Sequence, residues 1–104
     1  MALRQLSVQE RAEARRKALQ ARRARAELKA AFAAGAVGLA DVFARADTED
    51  AVARLRTVDL LLALPGVGEV RARETMAGCG ISPRRRLGGL GRRQREALIA
   101  YIGR

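Results

Sequence analysis

Leu64-Pro65-Gly66-Val67-Gly68 is the segment of this 104-residue chain whose residue types could do chemistry at one fixed place. A proline and two glycines at this spacing cannot sustain a helix, so the segment reads as a tight turn. Glycine carries no side chain, which lets a backbone N–H approach an outside oxygen closely. Helical spacing resumes at Glu69, and the amides that open a helix are unpaired and carry the positive end of its dipole. The chemistry implied is the binding of a phosphate oxygen, which conveys no information about bases. Pro65, Gly66, Val67 and Gly68 are the candidate backbone site, with Arg71 and Arg73 following on the same helix. Glu74 lies within helical reach of Arg71, and Glu69 of Arg73, so surface pairing is the competing use for each arginine.

Two further sets of cations accompany the turn. Arg84, Arg85 and Arg86, then Arg92, Arg93 and Arg95, bracket a second glycine-rich segment, Leu87-Gly88-Gly89-Leu90-Gly91. Some of these arginines are expected to bind phosphate, although not all six can face one partner. Near the N-terminus, Arg11, Arg15, Arg22, Arg25 and Lys29 fall within an arc of about 80° if the segment is helical. Glu13 and Glu27 take the opposite side, which gives that helix a positive edge.

The charge balance asks for a polyanion. Lys and Arg number 21 against 11 Asp and Glu, for a net +10, and every cation except Lys17 and Lys29 is arginine. A charge this large opposes compaction by self-repulsion, and guanidinium forks onto phosphate oxygens where ammonium does not. Residues 1–29 and 66–104 each hold nine basic and three acidic residues, whereas residues 30–65 hold three basic and five acidic. Two cationic ends thus flank a packing unit.

Other chemistries find little support. Histidine is absent and Cys79 is the single cysteine, so neither an intrachain disulfide nor a thiolate zinc site can form. Asp47, Glu49 and Asp50 read as helix-start charges, and the two lysines lie on a solvated helix. No enzyme activity, metal or cofactor is expected. No apolar run approaches the ~20 residues of a membrane span, and no secretory segment opens the chain, so a cytoplasmic location is expected. The alanine-rich stripe of the first helix would insert poorly among headgroups. Phe32, Phe43 and Tyr101 are the only aromatics, too few for stacking on single strands.

The elements that position these residues are all helical. Ser7 and Glu10 have the spacing of a capping box, and residues 8–34 are strong helix formers stopped by Gly35. The result is a helix of about 39 Å, whose stripe of Ala14, Ala18, Ala21, Leu28 and Phe32 could dock only at its C-terminal part. Short helices are expected over residues 39–46, then after a cap at Asp47 or Thr48, then over 58–64 after a cap at Thr57. A helix over 69–79 presents Val70, Ala72 and Met76, and Gly80 ends it. Ser82-Pro83 is expected to open a single helical turn through residues 84–86, and residues 92–102 close the chain as a helix. No alternation suggests a strand. The organisation expected is a long basic helix over 1–35 and a compact helical domain over 36–104, carrying the turns at 64–68 and 87–91.

Gly66, Gly68 and the small Ala72 four positions later resemble the hairpin of helix-hairpin-helix proteins. Taken with LPGVGEVRARETM, RRRLGGLG and the order of the helices, nearly the whole chain resembles the actinobacterial integration host factors, the mycobacterial and streptomycete type. That resemblance implies an all-α fold with a helix-two-turns-helix unit, related to a small-subunit ribosomal protein. It implies a monomeric, nucleoid-associated protein that binds double-stranded DNA with little sequence preference, bends it, and influences topology and phage integration. Glu69 departs from the pattern, since basic residues are common there in relatives. A structured RNA is the secondary partner that a small arginine-rich helical chain would also suit.

Overall fold

The computed structural model describes residues 5–103. Six α-helices follow one another: α1 (Val8–Ala33), α2 (Leu39–Thr48), α3 (Asp50–Ala53), α4 (Thr57–Leu62), α5 (Glu69–Gly78) and α6 (Arg92–Ile102), with a 3-10 turn at Leu87–Gly89. The capping box forms as expected: the Ser7 hydroxyl accepts from the Glu10 N–H at 3.0 Å, and Glu10 Oε1 accepts from the Ser7 N–H at 3.2 Å. Past Gly35, the Ala36 N–H returns to the Ala31 carbonyl at 2.9 Å and closes the helix.

Only the C-terminal part of α1 reaches the core, where Leu28 and Phe32 are fully buried. Its first half is solvated, and this projection explains a radius of gyration of 15.9 Å, against about 13 Å for a compact chain of this length. Leu39, Val42, Leu60, Leu61, Met76, Leu87 and Leu98 complete the core with them, so every helix except the short α3 contributes at least one of these side chains, and α3 contributes Val52. Burying one such side chain is worth roughly 1.5–3 kcal/mol.

Three local expectations are corrected. First, α2 runs on to Thr48 and α3 is capped by Glu49 rather than by Asp47 or Thr48. The Arg45 guanidinium grips the Glu49 carboxylate at 2.7 and 3.0 Å across one turn and so extends α2. Second, Thr57 is the first residue of α4 rather than its cap, because its N–H donates to the Arg85 carbonyl at 3.0 Å and its hydroxyl is buried without a partner among the described residues. The helix ends at Leu62, leaving Leu64 to the turn. Third, residues 84–86 do not form a helical turn. The Arg85 N–H bonds the Ser82 carbonyl at 3.0 Å, and the chain then extends so that Arg86 pairs with Arg56 in an isolated antiparallel bridge. The backbone groups of Leu55 and Thr57 capture those of Arg85 and Leu87, which outweighs the local preference of Ser-Pro.

Candidate nucleic-acid interface

The first glycine turn is built to leave its amides free. The Val67 N–H donates to the Leu64 carbonyl at 3.2 Å, with Pro65 and Gly66 between them. Gly66 has φ +79°, the left-handed value that the third position of a type II turn requires. Gly68 caps α5, and the first hydrogen bond of that helix runs from the Ala72 N–H to the Gly68 carbonyl at 2.9 Å. The N–H groups of Gly66, Gly68, Glu69, Val70 and Arg71 therefore have no acceptor among the described residues. A Cβ at Gly66 or Gly68 would meet nothing within 4 Å, so packing explains neither glycine. Behind the turn Ala72 is completely buried and lets α5 close on α4. The buried face of α5 is Ala72, Thr75 and Met76; Val70, expected to share it, is instead 72% exposed beside the free amides.

Arg71 and Arg73 are both exposed, and neither forms the ion pair that Glu74 or Glu69 could have supplied. Arg71 stands at the rim of a cavity of about 300 Å³ shared with Pro65, Val67, Thr75 and Tyr101. Thr75 is tied down there, its hydroxyl donating to the Arg71 carbonyl at 2.8 Å. Tyr101, 61% exposed, is a neighbour of the turn that sequence reasoning passed over, for nothing in its spacing marks it.

The second glycine turn has a different use. A Cβ on Gly88 would come within 2.8 Å of the Ala53 Cβ, so this turn is packed against α3. Arg84, Arg85, Arg86 and Arg93 lie exposed around it with no ion pair among the described residues. Arg92 pairs with Glu96 at 3.1 Å, on an open surface where such a pair is worth little. Arg95 is committed elsewhere. Its guanidinium meets the Asp47 carboxylate at 2.9 Å, donates to the Leu90 carbonyl at 3.2 Å and lies 5.2 Å from the centre of the Phe43 ring. The same guanidinium holds the Asp47 carboxyl below the usual carboxylate range.

On α1, Arg15 and Arg22 are exposed, Lys29 is half-buried, and Arg11 donates to the Leu6 carbonyl at 3.1 Å. Arg25 reaches α3, donating to the Ala51 carbonyl at 3.3 Å. Lys17, Arg22 and Arg25 line one side of a groove whose other side carries Arg54, Arg56 and Arg86. Arg54 and Arg56 were missed by sequence reasoning because they sit in the acidic middle of the chain. No described helix is long and apolar enough to cross a membrane.

An all-helical core carrying an exposed glycine turn at the head of a helix defines a class, and residues 33–102 match the S13-like H2TH domain family. The chain belongs to that family, and within it to the integration host factors. It is 47% identical over 103 residues to the integration host factor of Mycobacterium tuberculosis, spanning 99% of this chain and 98% of that one. It is 48% identical over 99 residues to the integration host factor of Mycolicibacterium smegmatis, spanning 95% and 94%. A solved structure of sIHF bound to an 8 bp palindromic DNA superposes with a TM-score of 0.78 at 39% identity, over 82% of this chain and 96% of that one.

Proposed function

We propose that this protein is an architectural, nucleoid-associated protein that grips the sugar-phosphate backbone of double-stranded DNA, bends it and influences its topology and phage integration. The observation that carries this reading is the solvent-facing turn at residues 65–68 and the helix start it leads into, where five N–H groups between Gly66 and Arg71 lack acceptors among the described residues. A phosphate oxygen seated there accepts charge-assisted hydrogen bonds from fixed dipoles, each stronger than a neutral one. Arg71 and Arg73 flank that phosphate. Arg84, Arg85, Arg86, Arg92 and Arg93 hold neighbouring phosphates, and Arg11, Arg15, Arg22, Arg25 and Lys29 supply a second line of contact along α1. In this division of labour residues 36–104 form the DNA-binding domain and residues 1–35 an accessory helix. Duplex DNA is preferred to structured RNA because the relatives are integration host factors and sIHF is seen bound to DNA. Catalysis has no part in the reading, and its place in the cell is the chromosome.

The test is affinity against salt for two duplexes of unrelated sequence, with folded RNA of equal length as competitor. With about five phosphates neutralised, log K falls against log salt with a slope near −4 to −5 on both duplexes. A salt-independent affinity, or RNA that displaces DNA at equal concentration, overturns the reading.

A further inference from the structure

The groove between α1 and the α3–α4 side carries six cationic side chains against two carboxylates. It is an open groove of about 770 Å³, lined by Lys17, Arg22, Arg25, Arg54, Arg56 and Arg86, against the carboxylates of Asp50 and Asp59. Two of these cations are occupied, Arg54 by Asp50 at 3.1 Å and Arg25 by the Ala51 carbonyl. Lys17, Arg22, Arg56 and Arg86 have no carboxylate partner among the described residues. They come from three separate parts of the chain and converge on one concave space.

The backbone forces two of them together. The Thr57 N–H donates to the Arg85 carbonyl at 3.0 Å and the Leu87 N–H to the Leu55 carbonyl at 2.9 Å. These bonds flank Arg56 and Arg86, which makes the two arginines a non-hydrogen-bonded antiparallel pair, the closer kind, with Cα atoms ~4.5 Å apart. Like charges placed directly opposite destabilise a bridge. The pair therefore suits an anion of high charge density.

We propose that this groove is a binding site for a polyphosphate chain, of the kind carried by a nucleoside triphosphate or by inorganic tripolyphosphate. Consecutive phosphates in such a chain share a bridging oxygen, so the chain carries its charge more densely than a nucleic-acid strand does. Along a DNA strand a sugar separates successive phosphates. The volume lies in the range of small-molecule sites. Asp59, at the groove wall, would accept from the hydroxyl or amino groups of a nucleoside if one is attached. The site goes beyond the DNA-binding reading and does not depend on the turn at residues 65–68.

The experiment titrates the full chain with sodium tripolyphosphate, and separately with ATP, at constant ionic strength, by calorimetry and backbone-amide NMR. Saturable one-to-one binding is expected, with shifts centred on Arg56, Arg86 and Lys17. K17Q/R56Q weakens tripolyphosphate binding about tenfold or more, as loss of charge-assisted bonds implies, whereas the charge-matched R84Q/R93Q changes it little. Circular dichroism checks the fold, and R56Q alone serves if the double variant unfolds. Tighter binding of ATP that D59N abolishes assigns the site to a nucleotide; equal binding assigns it to the inorganic chain. Equal weakening by both double variants, or failure to saturate, overturns the proposal. So do groove amides that move with a DNA duplex and not with tripolyphosphate. Duplex affinity is measured in parallel, so loss of DNA binding is told apart from loss of this site.

Discussion

Gly88 and Ala53 are in such close approach that a Cβ on the glycine would lie 2.8 Å from the alanine Cβ and 3.2 Å from its carbonyl oxygen. The obstacle includes backbone, which cannot swing aside. Gly88→Ala is expected to cost about 1–3 kcal/mol by overpacking, measured by urea denaturation. Gly68→Ala meets open space and ordinary backbone angles, and is expected to change stability far less. The two glycine turns, alike in composition, thus separate into one that packs and one that stays open.

Arg71→Ala is expected to weaken binding to unrelated duplexes by the same factor and to reduce the salt slope by about 1. Fluorescence anisotropy at several salt concentrations reads both quantities. If one sequence alone were affected, Arg71 would be a base reader.

Arg95→Ala should do the opposite, lowering stability by about 1–2 kcal/mol through its lost bonds to Leu90 and Asp47 and its place on the Phe43 ring. The salt slope of the variant is expected to match that of the unaltered protein. A fall in slope would return Arg95 to the phosphate-binding set.

The acid limb of stability should carry the marks of Asp47 and Glu49. Arg95 and Arg45 hold their carboxyl groups below the ordinary range. Both groups therefore stabilise the fold above about pH 4, the unfolded carboxylate value. That contribution is lost as pH falls through the lower folded values, since the unfolded chain takes up the protons first. D47N with E49Q is expected to flatten the pH dependence of the denaturation midpoint below that point.

Much of this architecture could be read from the chain itself, for identifiable reasons. Ser7 with Glu10, the stop at Gly35, the docking residues Leu28 and Phe32, and the whole of α6 all follow from local rules of capping and periodicity. Phe32→Ala should accordingly cost about 3–5 kcal/mol. What could not be read was set by partners distant in sequence. Arg95 looks like its neighbours until Asp47, 48 residues away, is brought to it. Ser82-Pro83 favours a helical turn until the edge of Leu55 and Thr57 extends the chain. Val70 fits the helical period loosely, and only the packing of α4 on α5 decides that it stays outside while Ala72 and Met76 face inward as expected.

The central claim concerns the amides of the first glycine turn, and NMR of the ¹⁵N-labelled protein with two unrelated duplexes examines them directly. The amide resonances of Gly66, Gly68, Glu69, Val70 and Arg71 should move downfield, alike for both duplexes, as their protons acquire phosphate acceptors. Resonances of these residues that stay in place while those of the arginines elsewhere shift would contradict it.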